Sequence, residues 1–236
     1  MRVIDLAGRT GAQKQGLLSQ LVVPRPIAMI TTLDTAGALN VAPFSYFMPV
    51  SGEPPLIAVT IGTTREVSAG PKDTWTNLRA SGEFVINVTT SALAAHIETV
   101  AREYPSEVDE VAVAGWQLVP SQLVAPPSLA ESPAHLECRV QEVITRGDAR
   151  SCFSGVHIVL AEVVCITADE SILTDEGRID PPAIRAVGRM GFPWFVTAVP
   201  EAMFTQDRIA YAELDPVLST AERGREEGVL ARGAPG

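Results

Sequence analysis

A small closed barrel of short β-strands with added helices, mainly β in class, is the fold that this 236-residue sequence predicts. Three observations predict it: many short apolar runs punctuated by Pro, Gly and Asp, few segments with helical spacing, and no alternating strand–helix pattern. With 46% hydrophobic residues there is enough apolar material for one core. That core is expected in one domain over residues 24–205, after an amino-terminal arm at 1–23 and before a charged, flexible tail at 206–236.

Taken in order, the arm carries an apolar cluster at Leu17, Leu18, Leu21 and Val22 and is expected to be loose, ending in a short helix or strand. Pro24 and Pro26 stop any helix there. Residues 27–33 then form an apolar and Thr-rich strand bounded by Asp34-Thr35-Ala36-Gly37, a turn signal that leads into a hairpin with residues 39–41. Phe44–Val50 reads as a second β run, and Glu53-Pro54-Pro55 breaks it before residues 56–61. Asp73 or Thr74 is placed to cap a helix over Trp75–Ser81, with Gly82 placed to end it. Residues 84–89 form another strand. Ser91 is placed to cap a helix reaching about Arg102, with Leu93, Ile97 and Val100 on one face. Prolines dominate Tyr104–Pro133, where Val108–Ala114 suits a short helix before Gly115. Residues 136–144 and 157–168 are long β runs joined by a hairpin tip at 148–154, and the segment from Ile179 to Thr205 holds an RIDP turn and the sequence VGRMGFPWF.

The balance of 18 Lys+Arg against 28 Asp+Glu, a formal net charge of −10, disfavours nucleic acid and anionic membranes as partners. No apolar run is long enough for a membrane span, and polar residues at Asp5, Arg9, Gln13 and Lys14 interrupt any signal sequence. A cytoplasmic location is expected. The three cysteines have no C-x-x-C spacing, which suggests buried thiols and no disulfide framework. Neither G-x-G-x-x-G nor a P-loop occurs, and no G-x-S-x-G elbow. His96, His135 and His157 share no ligating spacing, so no metal site is predicted, and any chemistry falls to a cofactor.

Two segments stand out. Lys72-Asp73-Thr74 opens a helix, where free N–H groups and the positive dipole end suit a phosphate dianion. The same triplet also suits plain capping, with Asp73 accepting a backbone N–H and Lys72 solvated. In NVAPFSYF, residues 40–47, Pro43 removes a ladder donor from an aromatic β run. Such a backbone edges a flat heteroaromatic ring as well as it forms a bulge at a barrel corner.

Several motifs in order then resemble one family. PRPIA-x-I-[ST]T, a D-x-x-G turn, N-x-APFS-[FY]-F, a Pro-Pro before a strand, KDT and GEF-V-[IV]-N-V are followed by YP-x-x-VDE, LVAPP, ESP-x-x-LEC and RIDP…VGRMG. Over roughly residues 20–195 the chain is similar to the flavin reductase-like, FMN-binding split-barrel proteins. The resemblance implies a homodimeric split β-barrel with FMN near the subunit interface. It implies Thr31 and Thr32 at the end of the first strand, Asn40, Val41, Ala42, Phe44 and Ser45 around the ring and ribityl chain, and Lys72, Asp73 and Thr74 at the phosphate. Arg189 would reach the site, from the neighbouring subunit in a dimer. The activity implied is reduction of FMN by NADH or NADPH with no catalytic side chain acting as acid or base, supplying reduced flavin to a flavin-dependent monooxygenase. The alternative is an FMN-binding electron carrier with no nicotinamide site of its own.

Overall fold

In the computed structural model the chain divides into two units, residues 1–201 and 202–236. The described residues are 1–65, 70–105, 108–147 and 153–206. The expected tail from 207 onward and most of the expected hairpin tip, 148–152, lie outside them. The first unit runs through helix α1 (Gly11–Leu21) and strands β1 (Arg25–Pro26), β2 (Ala28–Leu33), β3 (Leu39–Phe44), β4 (Phe47–Gly52) and β5 (Pro55–Gly62). Helix α2 (Asp73–Ser81) leads into β6 (Glu83–Val88), then the short helices α3 (Ser91–Ala94), α4 (Ile97–Val100) and α5 (Glu110–Ala114). A ladder of β7 (Leu118–Val119) with β8 (Ser128–Leu129) precedes the long hairpin β9 (Ala134–Gly147) and β10 (Gly155–Ala168). Last come α6 (Pro181–Ile184) and the pair β11 (Val187–Gly191) and β12 (Trp194–Thr197), which forms a small sheet with β1.

Seven strands pair in the order β3-β2-β6-β9-β10-β5-β4. Its two edges, β3 and β4, are consecutive in the chain and joined through Ser45 and Tyr46 alone. Such a link spans at most about 10 Å, so the sheet has to roll until its edges nearly meet. They do not pair: Pro43 has no N–H to offer a ladder, and the Tyr46 carbonyl instead accepts from Thr60 N–H at 2.8 Å. The barrel is therefore split along this seam and not closed, and the β run expected over Phe44–Val50 is two strands broken at the seam.

Alternation along β2 divides the molecule into two cores. Ala28 and Ile30 face the barrel interior with Ile57, Val59, Ile61, Phe84 and Ile86. Ile27 and Met29 face the other way, under α3–α5, with Leu93, Ile97, Val100 and Trp116. Burying side chains of this size stabilises each by roughly 1.5–3 kcal/mol. Helix α2 closes one end of the barrel through Leu78 and ends at Gly82, which takes a left-handed φ of 70°. Its N-cap is Lys72, not Asp73 or Thr74. The helix expected over 91–102 is two short helices: His96, at φ −111° and ψ 5°, interrupts it, and Thr90 is the first N-cap. The amino-terminal arm holds more order than expected, because Thr10 and Gln13 make a reciprocal capping box for the eleven-residue α1.

Trp75 of α2 stacks on His157 of β10, ring centroids 3.7 Å apart at 13°, and His157 Nδ1 lies 2.9 Å from Thr145 Oγ1. Burial holds the imidazole pKa below its ordinary 6.5. Folding thus favours the neutral ring, so this contribution is complete above pH 6.5 and is lost as pH falls through the folded value. Urea midpoints measured at descending pH are expected to fall more in the wild type than in His157→Asn; parallel curves would contradict this.

Candidate functional site

Two grooves meet at the seam. The first, of ≈ 200 Å³, runs between the Asn40–Phe44 segment of β3 and the start of α2 at Lys72–Thr74, with Arg65, Arg102, Tyr104 and Glu110 on its walls. The second, of ≈ 420 Å³, is bounded by residues 43–46, Thr60, Gly62 and the α1 face carrying Lys14 and Leu18. Pro43, Phe44 and Lys72 line both, so the seam residues are shared by two adjoining grooves.

What distinguishes the first groove is the helix start that opens into it. Thr10 caps α1 and the Asp109 carboxylate caps α5, accepting from Val111 and Ala112 N–H. No side chain caps α2, nor the four-residue helices α3, α4 and α6, and of these starts it is α2's that lies beside Lys72 in the groove. The first-turn N–H groups and positive dipole end of α2 therefore face a cleft that also carries Lys72 and Arg65, the donor set an anion requires. Asp73 does not cap the helix. It forms an ion pair with Arg65, whose Nε also donates to the Pro71 carbonyl at 3.2 Å.

Behind this entrance lies a buried polar knot. Thr32 Oγ1 accepts from Asn40 Nδ2 at 3.2 Å and from Asn77 Nδ2 at 3.1 Å, while Thr74 Oγ1 accepts from Asn40 at 3.0 Å. With its oxygen engaged as an acceptor, the Thr74 hydroxyl keeps its proton to donate. The knot fixes α2 against β2 and β3, and so fixes the width of the cleft.

Of the residues singled out from sequence, Asn40, Val41, Ala42, Phe44, Lys72, Asp73 and Thr74 line the first groove, and Ser45 lines the second. Three are elsewhere. Thr31 and Thr32 are fully buried and line neither groove, since adjacent residues of β2 point to opposite faces. Thr31 donates to the Pro127 carbonyl at 2.6 Å on the outer face, and Thr32 sits in the knot. Arg189, on β11, is paired with Glu98 at 3.2 Å and lies over the Phe195 ring, 4.4 Å from its centroid. Within one chain it is not brought to either groove.

Sequence reasoning also passed over Arg65, Arg102 and Glu110. Arg65 was the detectable one, a single cation seven residues before Lys72 and three residues after the end of β5. Glu110 is 8% exposed, and its Oε2 accepts from Val41 N–H at 3.4 Å. Burial raises its carboxyl pKa, opposed by hydrogen bonds to backbone N–H groups and assisted by the negative charges of Asp73 and Asp109.

Fold and cleft together define a split-barrel protein whose seam cleft carries an uncapped helix start beside Lys72 and Arg65. The model of the flavin reductase like domain matches residues 19–180, and the chain belongs to that family. The uncharacterized protein BH2278 of Halalkalibacterium halodurans is 38% identical over 174 residues, covering 74% of this chain and 81% of its own length. Nitrilotriacetate monooxygenase component B from Bacillus cereus has a similar structure, with a TM-score of 0.77 at 25% identity over 89% of this chain and 98% of that one. The 2-nitrobenzoate 2-nitroreductase NbaA of Pseudomonas fluorescens gives 0.75 at 26% identity with the same coverage. By family and fold, then, this is a flavin-related oxidoreductase. Among the described residues no helix is long and apolar enough to cross a membrane.

Proposed function

We propose that the chain binds FMN along the seam and passes hydride to it from NADH or NADPH. The observation that carries this reading is the uncapped start of α2, opening beside Lys72 and Arg65 into a groove continuous with the seam. Those N–H groups and cations hold the phosphate, assisted by the Thr74 hydroxyl. Phe44 offers an apolar wall to the ring system and Ser45 a polar edge, at the point where Pro43 keeps the barrel from closing. The flavin supplies the hydride acceptor, and the residues around it orient the ring and exclude water. Leu18 and Lys14 of α1 border the second groove and cover that side of it.

Homodimerisation belongs to the same reading. The β11–β12 hairpin exposes Phe192 at 75% and Trp194 at 71%, and α1 exposes Leu21 at 76%. Apolar side chains this exposed suit burial against a second copy, which would bring Arg189 to the partner's flavin. The nitrilotriacetate monooxygenase component among the similar structures supports a role in supplying reduced flavin to a monooxygenase.

The test is the visible absorption of the protein saturated with FMN, followed without oxygen after adding NADH and then NADPH. Bleaching of the flavin band by one of the two is expected and names the donor. Bound flavin that stays oxidised with both donors overturns hydride transfer and leaves an electron carrier.

A further inference from the structure

The phosphate cleft does not end at Lys72 and Thr74. Past them lies a hollow of ≈ 290 Å³ between α2 and the β2–β3 turn, and Asn40, Asp73 and Glu110 line both spaces. The passage from cleft to hollow therefore runs by the Glu110 carboxylate. Asp73 is balanced by Arg65. Glu110 is in none of the ion pairs among the described residues, and the neighbouring charges of Asp73 and Asp109 act with burial to raise its pKa. The hollow beyond adds Asp34, whose Oδ1 accepts from Ala36 and Ala38 N–H at 2.8 and 2.7 Å.

A flavin mononucleotide ends in one phosphate, which faces the helix start and Lys72, with Arg65 shared between it and Asp73. A flavin dinucleotide carries a second phosphate joined to the first, and an adenosine that needs a further space. Resting on the flavin reading above, we propose that Glu110 makes this chain select flavin mononucleotide over flavin adenine dinucleotide, because its buried carboxylate lines the passage from the phosphate cleft to this adjoining hollow. A second phosphate passing this carboxylate meets like charge in a half-desolvated space, where repulsion is stronger than in water. Glu110 is a specificity residue and takes no part in hydride transfer.

Three ligands with zero, one and two phosphates, riboflavin, FMN and FAD, separate the possibilities. Their dissociation constants are measured by flavin fluorescence on the wild type, Glu110→Gln and Asp34→Asn. Glutamine keeps an oxygen to accept Val41 N–H, and asparagine keeps one for the turn, so both variants are expected to melt with the wild type. Wild type is expected to hold FMN about tenfold or more tighter than FAD. Glu110→Gln narrows that ratio about tenfold, the order of removing one charge from a partly screened cleft, and leaves riboflavin unchanged. Asp34→Asn narrows it less and leaves FMN alone. FAD binding as tightly as FMN in the wild type, or a ratio unmoved by Glu110→Gln, overturns the proposal while the flavin reading stands. Failure of all three ligands to bind the wild type overturns the flavin reading itself.

Discussion

Glu137→Ala is expected to lower stability by about 3 kcal/mol and the melting temperature by roughly 6–12 °C. Glu137 stands on β9 and is 1% exposed. Its Oε1 accepts from Gln122 N–H at 2.7 Å, and its Oε2 from Leu123 at 2.6 Å and Val124 at 3.2 Å. One buried carboxylate thus satisfies three successive backbone donors of a turn that has no ladder of its own. Removing it strands Val124 N–H in a buried position, whereas Gln122 and Leu123 are exposed and regain water. The cost is therefore near that of one or two charged hydrogen bonds, not the sum of three. Two further contacts hold the same turn, Ala125 N–H to Glu83 at 2.9 Å and Arg139 to the Leu123 carbonyl at 2.6 Å, so the turn loosens without the barrel unfolding. Glu137→Gln keeps one acceptor and is expected to lose less than half as much. A loss under about 1 kcal/mol for the alanine variant, by thermal or urea denaturation, would mean the turn is held by those flanking contacts instead.

Arg65→Ala is expected to weaken FMN binding about 100-fold and to leave riboflavin binding unchanged. Two effects add. The cleft loses a cation, worth about 1.5–3 kcal/mol in a charge-assisted hydrogen bond, and the Asp73 carboxylate loses its partner and becomes an uncompensated negative charge in the first turn of α2. The second effect also follows from geometry: Asp73 and Thr74 share that turn, so a charge freed there faces the same groove. Asp73→Asn in the Arg65→Ala background is expected to recover part of the affinity, since it removes the repulsion but not the missing cation. Riboflavin is the control, for it presents the same ring without the phosphate. Equal weakening of riboflavin would assign Arg65 to folding of the cleft, and unchanged FMN affinity would take the phosphate out of this groove.

Local chemistry was sufficient to predict much of this molecule. Strand propensity between proline, glycine and turn residues marked β2, β5, β6, β9 and β10, the Asp34–Gly37 turn set the first hairpin, and Gly82 and Gly115 ended α2 and α5 in left-handed conformations. The order of motifs pointed to a family, and the family match over residues 19–180 agrees. The adjacency of Asn40–Phe44 to Lys72–Thr74 is of another kind, because nothing local joins segments thirty residues apart. It exists because β3 and β4 are linked through two residues and force the sheet to roll, which carries the seam to the start of α2.

The sequence by itself marked the main strands of the barrel and a helix opening at a Lys-Asp-Thr triplet, and left that triplet open between an anion site and plain capping. Only the tertiary structure decided which donors remain open and which are spent. Asp73 could have capped its own helix, and is instead drawn off by Arg65, leaving the amides of α2 uncapped. Thr31 and Thr32 looked alike as adjacent hydroxyls, yet strand alternation sends one to Pro127 and the other into the Asn40–Asn77 knot. Glu110 and Glu137 are both buried carboxylates, and the motifs they stand in do not say which of them is consumed by backbone donors. Glu137 has three backbone donors around it and holds a turn, while Glu110 has the Val41 N–H and an open cleft before it. The physical reason is common to all of these: a side chain's hydrogen-bonding capacity is written in its chemistry, but whether a neighbour consumes it depends on distances that only the folded chain sets.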